Sequence, residues 1–400
     1  MNKQNWSFDD VIDRSETQSA KWEFFEKDIL PLWVADMDFR SPEPVIKAIM
    51  DRVNHGIFGY SYFHSTYYDA VLGWFKRHYN WELNKEWLTF TPGVIPAINM
   101  SIQAFTNRGD KVILQNPVYH PFFGAIKNNG RQILFNPLIT SSGRYMMDYD
   151  DLQQKMKDPR VKMLILCSPH NPIGRVWTKD ELNQLGEICI ENEVLVLSDE
   201  IHCDLIYPEY KHTNFASIRD ELALNSVTCT SLSKTFNLAG LQLSNIIIPN
   251  TKLRNKFRNS IESLFLPEEL GYLPNSLSLA AFTAAYEKCD YWLSSVIQYI
   301  QENLLFLKSF IENNIPQIKV NEPEGTYLVW LDFRMIGIAH EQLEDFLHEK
   351  AKVALDDGAM FGEGGEGFQR INIACPRSTL NEALTRIYKA VKELNLNQEI

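Results

Sequence analysis

The stretch SVTCTSLSKTFNLAGLQ, residues 226–242, decides the expected fold. A short apolar strand runs directly into Ser-Leu-Ser-Lys and then into a loop of small residues. A lysine that follows a strand of a parallel sheet points into the crevice where such sheets bind ligands. Burial there favours the neutral amine of Lys234, the form that attacks carbonyl groups. A solvated loop lysine is the alternative, but the hydroxyls of Ser231 and Ser233 suit an anion bound beside an imine.

Other short apolar runs lie on both sides of this stretch. A helix between two of them opens with a capping box, Thr178 with Glu181. Alternation of strands and helices at this spacing predicts an α/β fold with a largely parallel sheet. The expected strands are 111–115, 161–167, 194–198, 226–230 and 245–249.

The pattern changes near residue 275. A segment of more than thirty residues has helical periodicity, which predicts two consecutive helices or one long bent helix. The remainder alternates between strands and helices and reads as a smaller α+β unit, with strands at 326–333 and 370–374, a helix at 340–351 and a last helix from about Thr379. Residues 1–45 show weak periodicity, and we expect them to wrap the surface or line a cleft.

Composition and charge exclude several classes of function. The chain has 400 residues, and 51 Asp and Glu against 39 Lys and Arg give a net charge of −12, which disfavours nucleic acid or anionic lipid as a partner. The apolar runs are too short to span a membrane and no signal segment is visible, so a cytoplasmic protein is expected. Six cysteines without a CxxC pair indicate reduced core residues and no metal site. The absence of HExxH, GxSxG and P-loop motifs disfavours metalloproteases, serine hydrolases and ATPases.

Asp199 closes the apolar run VLVLSD, where a buried carboxylate needs a cationic or hydrogen-bonding partner. A helix cap is the alternative role, and His202 three residues later could orient the carboxylate. In TPGVIP, Gly93 leads into a helix that begins with Val94 and Ile95. A glycine turn before a helix forms an anion site from backbone N–H groups, although many helices that begin this way bind nothing.

The glycines of FGEGGEGF, residues 361–368, have G-x-G-x-x-G spacing, but a strand follows and two glutamates would repel a pyrophosphate. We therefore interpret this segment as a flexible loop. Arg370 after it could bind a substrate carboxylate with its guanidinium fork, and a surface ion pair is the alternative. Together with an aromatic platform at Tyr119 and an amide at Asn171, these groups match what pyridoxal 5′-phosphate (PLP) requires.

The order of the motifs TPGV, NPVYHPF, SPHNPIGRVW, SDEIHCDL, SLSKTFNLAG and FQRINIACPR resembles the fold-type I, class I/II aminotransferase-like family of PLP enzymes. Within that family, PLWVADMDF at 31–39, DEIHCDL and SKTFNLAGLQ are similar to the MalY/PatB-type cystathionine β-lyases. The resemblance implies a mostly parallel seven-stranded sheet in a large domain, 46–285. It also implies a small domain built from both chain ends, 1–45 plus 286–400.

The resemblance also implies roles for single residues. Lys234 would bind PLP covalently and later move the Cα proton, while Asp199 would pair with the pyridine nitrogen. Tyr119 would stack on the ring and act in catalysis, Asn171 would bind the ring hydroxyl oxygen and the substrate, and Arg370 would grip the substrate carboxylate.

The phosphate would be held by Gly93, Val94, Ile95, Ser231 and Ser233. In a homodimer, Tyr60 of one subunit would reach the phosphate of the other. His202 matches a position of the cofactor site whose role the resemblance leaves open.

The implied activity is elimination of a thiol from an amino-acid thioether such as cystathionine. Spacing alone does not separate this lyase from an aminotransferase with the same lysine, nor from a lyase with a second role as a regulatory binding protein. One departure of this sequence from the aminotransferase pattern favours the lyase. Many class I aminotransferases carry an arginine eight residues after the lysine, where this chain has Gln242.

Overall fold

A seven-stranded sheet forms the centre of the protein. The computed structural model describes residues 7–141, 143–263 and 273–398. The strands are β1 (Leu88–Thr91), β2 (Lys111–Leu114), β3 (Gln132–Phe135), β4 (Val161–Cys167), β5 (Leu195–Asp199), β6 (Ser226–Thr230) and β7 (Ser244–Ile247). Their spatial order is β1, β7, β6, β5, β4, β2, β3, with β7 antiparallel to both neighbours and every other pair parallel. The predicted mostly parallel sheet of seven strands is confirmed.

The sequence predicts five of these strands within two residues of their observed ends. It misses β1 and β3, the four-residue strands at the two edges of the sheet. The residues of β3 are exposed or partly buried, whereas the four residues of β1 are all buried.

Helices pack on both faces of the sheet and around the smaller unit. The predicted capping box is confirmed at Thr178, whose hydroxyl accepts from the Glu181 N–H while the Glu181 carboxylate accepts from the Thr178 N–H. The helices are α1 (Ala20–Glu23), α2 (Glu43–His55), α3 (Ser65–Tyr79), α4 (Val94–Phe105), α5 (Pro121–Asn128), α6 (Tyr149–Lys155), α7 (Lys179–Glu191), α8 (Asp220–Leu224), α9 (Leu232–Thr235), α10 (Thr251–Glu262), α11 (Ser276–Lys288), α12 (Asp290–Asn314), α13 (His340–Asp345) and α14 (Arg377–Gln398).

The long apolar segment forms two helices rather than one bent helix. Cys289 separates α11 from α12 with φ −115° and ψ 10°, a conformation that ends the first helix and opens the second. The helix predicted at 340–351 begins as α13 and continues as a π-helix, Phe346–Ala351. The last helix begins at Arg377, two residues before the predicted start.

A second, antiparallel sheet organises the C-terminal part of the chain. Its order is β8, β9, β11, β10, formed by β8 (Lys319–Asn321), β9 (Leu328–Asp332), β10 (Asp356–Asp357) and β11 (Phe368–Asn372). Two further pairs lie outside both sheets, a hairpin of Ile139–Ser141 with Arg144–Met146 and a parallel pair of Leu30–Pro31 with Val353–Ala354.

We propose the domain limits 46–285 and 1–45 plus 286–400, a division supported by the pairing of Leu30–Pro31 with the C-terminal part. Residues 1–6, 142, 264–272 and 399–400, which this division also assigns, lie outside the described residues.

The side chains of β4 and β5 alternate between two buried clusters, as the period of two in a strand requires. Met163, Ile165 and Cys167 pack on the α4 side, and so do Leu195 and Leu197. Asp199 continues this alternation and faces α4 from the end of β5. Among the described residues, no helix has both the length and the apolar character that crossing a membrane demands.

Candidate active site

Strands β1, β2, β4, β5 and β6 all end at one edge of the sheet. A cavity of about 210 Å³ lies there, between the strand ends and the start of α4. Ligands of open α/β sheets bind at this edge. Ten of the residues predicted for the site line the cavity: Gly93, Val94, Ile95, Tyr119, Asn171, Asp199, His202, Ser231, Ser233 and Lys234.

Lys234 lies on α9, the short helix that directly follows β6. Ser231 caps this helix by accepting the Ser233 N–H at 3.1 Å, and Thr235 donates to Asp204 at 2.7 Å. The Lys234 Nζ donates to the carbonyl of Ala35 at 2.7 Å. Burial, followed by the positive charge of Arg370, lowers the pKa of Lys234 to about 8, from an ordinary value of 10.5. A substantial fraction of this amine is therefore neutral near physiological pH.

Asp199 lies at the floor of the cavity. Its Oδ1 accepts the N–H of Ile201 at 3.1 Å, which fixes the carboxyl at the end of β5. Burial raises the pKa of Asp199 to about 7, and the positive charge of Lys234 acts in the opposite direction. A cationic ring nitrogen beside it would favour the ionised carboxylate. Cys167, its Cα partner on β4, also lines the cavity, and burial raises the pKa of its thiol, so the sulfur is uncharged.

The start of α4 forms the end of the cavity that suits an anion. Gly93 precedes this helix with φ 136°, a conformation that residues with a Cβ rarely adopt. The N–H groups of Val94 and Ile95 have no partner within the helix, because they belong to its first turn. Ser231, Ser233 and Gln242 also line the cavity. Helix N–H groups and hydroxyls together can hold a phosphate.

Arg370 lies beside the cavity and is buried, with 3% of its surface exposed. Its guanidinium donates to Asn171 Oδ1 at 3.0 Å and to the Trp33 carbonyl at 2.9 Å. It also forms an ion pair with Asp356. The alternative of a surface ion pair is therefore wrong, since this pair is buried. Burial lowers the pKa of Arg370 to about 10, and the group remains cationic at neutral pH.

His202 is buried in the cavity wall. Burial lowers the pKa of its imidazole to about 3, so the ring is neutral at physiological pH. Its Nδ1 has no hydrogen-bond partner within the described part of the chain. No hydrogen bond joins His202 to Asp199 among the described residues, so the expected orienting contact is not found; the Asp199 Oδ1 accepts from the Ile201 N–H.

The segment 33–36 lies against the cavity, which Ala35 lines, in agreement with the expectation that residues 1–45 line a cleft. Its successive carbonyl oxygens accept hydrogen bonds from side chains of the site and of the small sheet. Trp33 accepts from Arg370, and Ala35 accepts from Lys234. Asn372 donates to the carbonyls on either side of Ala35, at 2.7 and 2.6 Å. Only backbone atoms of the segment make these contacts, so the side-chain pattern carries no signal for them.

Tyr60 lies away from this cavity. It is 94% exposed and lines a different pocket, between α2, α11 and the segment before α3. Neighbouring Ile57, Phe58 and Tyr62 are also exposed. Within one chain, Tyr60 therefore makes no contribution to the cavity.

The chemistry of the cavity fits PLP. A buried amine of lowered pKa can form an imine with an aldehyde, and a carboxyl at the floor can pair with a ring nitrogen. The start of α4 and the two serines can hold a phosphate. The described part of the chain contains no cluster of three or more His, Cys, Asp or Glu side chains placed to bind a metal ion.

A family model described as aminotransferase class I and II matches residues 27–387. The chain belongs to this family. The cystathionine β-lyase PatB of Bacillus subtilis is 45% identical over 390 residues, which cover 96% of this chain and 100% of PatB. The resemblance found in the motifs, to the MalY/PatB-type branch of the family, is confirmed.

Two solved structures of relatives have the same fold. The structure of cystalysin from Treponema denticola, which contains PLP, is 40% identical with a TM-score of 0.93, covering 98% of this chain and 100% of that chain. The PLP-bound C–S lyase from Staphylococcus hominis is 35% identical with a TM-score of 0.89, covering 96% of this chain and 99% of that chain.

The lowered pKa of Lys234 predicts how the cofactor-free protein responds to pH. The group is charged below its pKa, so the rate of imine formation with added PLP should rise with pH up to about 8 and level off above. An ordinary lysine would keep gaining reactivity up to about pH 10. The initial rate of imine absorbance measures this directly. The Lys256→Ala variant, which loses an exposed lysine, should behave like the wild type, and a rate still rising at about pH 10 would contradict the assignment.

Proposed function

We propose that this protein is a PLP-dependent carbon–sulfur lyase that acts on cystathionine or a similar L-amino-acid thioether. The reaction breaks the Cβ–S bond and consumes one water molecule, and it yields the thiol, pyruvate and ammonia. From cystathionine the thiol is homocysteine. The observation that carries the proposal is the half-buried Lys234 amine of lowered pKa, placed with Asp199 and the start of α4 around one cavity. The likeness to PatB, a cystathionine β-lyase, supports the choice of substrate.

Lys234 is the proton-transfer group. PLP, when bound, supplies an electron sink that stabilises negative charge at the substrate Cα. The Lys234 amine removes the Cα proton, and its lowered pKa leaves it free to accept that proton near neutral pH. The Ala35 carbonyl, 2.7 Å from Nζ, holds the amine at the mouth of the cavity. Asp199 would keep the ring nitrogen of bound PLP protonated, because a buried carboxylate favours a neighbouring positive charge.

The remaining residues would hold the cofactor and the substrate. Tyr119 lines the cavity and would stack on the ring of bound PLP and take part in catalysis, and Asn171 would bind the ring hydroxyl oxygen and the substrate. Arg370 would bind the substrate carboxylate and is tied to the cofactor site through Asn171. The phosphate would be held by Gly93, Val94, Ile95, Ser231 and Ser233, and His202 would add a neutral wall to the cofactor pocket.

Release of pyruvate without a keto acid distinguishes the lyase from an aminotransferase of the same family. We expect sustained pyruvate formation from cystathionine, and Lys234→Ala should lose at least about 100-fold in rate, the usual contribution of a proton-transfer group. The matched control Lys256→Ala should keep the wild-type rate. Product that forms only when a keto acid is added would show an aminotransferase instead.

We further propose a homodimer in which Tyr60 completes the phosphate site of the partner subunit. The exposed hydrophobic side chains of Ile57, Phe58, Tyr60 and Tyr62 support this, since exposed apolar patches of this kind mark interfaces. The cavity has the size of a small-molecule substrate. The six cysteines are buried and form no disulfide, which supports a reducing, cytoplasmic location.

Mixed dimers test the contribution of Tyr60. Lys234→Ala and Tyr60→Ala proteins, each of low activity, should regain activity when their subunits are mixed and exchanged. In a mixed dimer, the subunit with an intact Lys234 then receives an intact Tyr60 from its partner. If Tyr60 acted within its own chain, both sites of every mixed dimer would remain defective and no activity would return.

A further inference from the structure

Asp356 and Arg370 form a buried ion pair next to Asn171, which lines the cavity. They are direct partners in the antiparallel pairing of β10 with β11, so their side chains lie on the same face of the small sheet. The side chain of Arg370 is 3% exposed and that of Asp356 is 8% exposed. Water therefore screens the pair only weakly.

The guanidinium of Arg370 has hydrogen-bond donors that its contacts within the described residues do not use. Three donors are engaged, by Asn171, by the Trp33 carbonyl and by Asp356, out of the five that a guanidinium carries. Its Nε is buried and has no partner within the described residues. The ring of Phe361 lies 5.1 Å from the guanidinium carbon and covers one face. An unpaired buried donor beside a cavity is suited to a ligand.

We propose that Asp356 is a positioning residue that acts through Arg370. It is the resident counter-ion that fixes the guanidinium before the substrate arrives and weakens its affinity for a carboxylate. The inference rests on the proposed role of Arg370 in binding the substrate carboxylate.

The charges of Asp356 and Arg370 explain why Asp356 weakens carboxylate binding. A substrate carboxylate approaches an ion pair of zero net charge rather than a free cation. It is attracted by Arg370 and repelled by Asp356, and both interactions are strong because the pair is buried. Binding is therefore weaker than to an isolated arginine, and release of the carboxylate product is easier. A pair with a purely structural role would leave carboxylate affinity independent of the charge at 356.

Asp357 provides a matched control on the same strand. Its Oδ1 accepts from the Ala359 N–H and the Gln369 amide, each at 3.4 Å, and it makes no ion pair with Arg370. Replacing either aspartate with asparagine removes one negative charge from β10. Only the change at 356 removes the counter-ion of Arg370.

Calorimetric titration of propionate into the PLP-loaded protein tests the proposal. Propionate carries the carboxylate and lacks the amino group, so the measurement does not depend on which reaction the enzyme performs. We expect Asp356→Asn to bind propionate about tenfold more tightly, as loss of one repulsive charge predicts. Asp357→Asn and the charge-retaining Asp356→Glu should stay near the wild-type affinity. The KM for the thioether should fall in Asp356→Asn.

Asp356→Asn is also expected to lower the melting temperature, because it leaves Arg370 buried without its counter-ion. If that variant does not fold, Asp356→Ser replaces it, with the same expected gain in affinity. Unchanged or weaker propionate binding in the folded variant, or equal gains in Asp356→Asn and Asp357→Asn, would overturn the proposal. Failure of the proposed lyase activity would appear separately, as a wild-type protein that binds propionate and forms no pyruvate.

Discussion

The burial of ionisable groups at one edge of the sheet is the constraint on which the rest of the structure depends. Asp199 and Arg370 are buried and Lys234 is half-buried, and burial is the largest cause of the pKa shift of each. Such groups are tolerated only where partners compensate them. The carbonyl of Ala35, the Ile201 N–H and the carboxylate of Asp356 supply that compensation here.

The segment 33–36, before α2, connects these buried ionisable groups to the two sheets. Its backbone lies against the cavity and accepts hydrogen bonds from Lys234 on α9, which follows β6 of the large sheet, and from Arg370 and Asn372 on β11 of the small sheet. The segment is itself held by Asp38, which pairs with the buried Lys21 at 2.7 Å and with Arg14 at 2.7 Å. The chain therefore uses its N-terminal part to join the two sheets above the reacting groups.

Local patterns were sufficient to predict the groups that chemistry requires. Lys234 follows a strand and Asp199 ends one, and Gly93 precedes a helix, so each is visible within about ten residues of sequence. The contacts of Ala35 with Lys234 and of Asp356 with Arg370 were not visible. The contact of Ala35 with Lys234 joins residues that are 199 positions apart in the sequence. The contact of Asp356 with Arg370 depends on the pairing register of β10 and β11, which the fold sets. The short edge strands β1 and β3 were missed for a related reason, since pairing with a neighbour rather than a strong apolar run defines them.

In the proposed function, Lys234 carries the cofactor and performs the proton transfer. Borohydride reduction of the protein loaded with PLP, followed by peptide mass mapping, shows which lysine forms the covalent bond. We predict a single reduced adduct on Lys234, absent from the Lys234→Ala variant. An adduct on another lysine, or a protein that binds no PLP, would contradict the account.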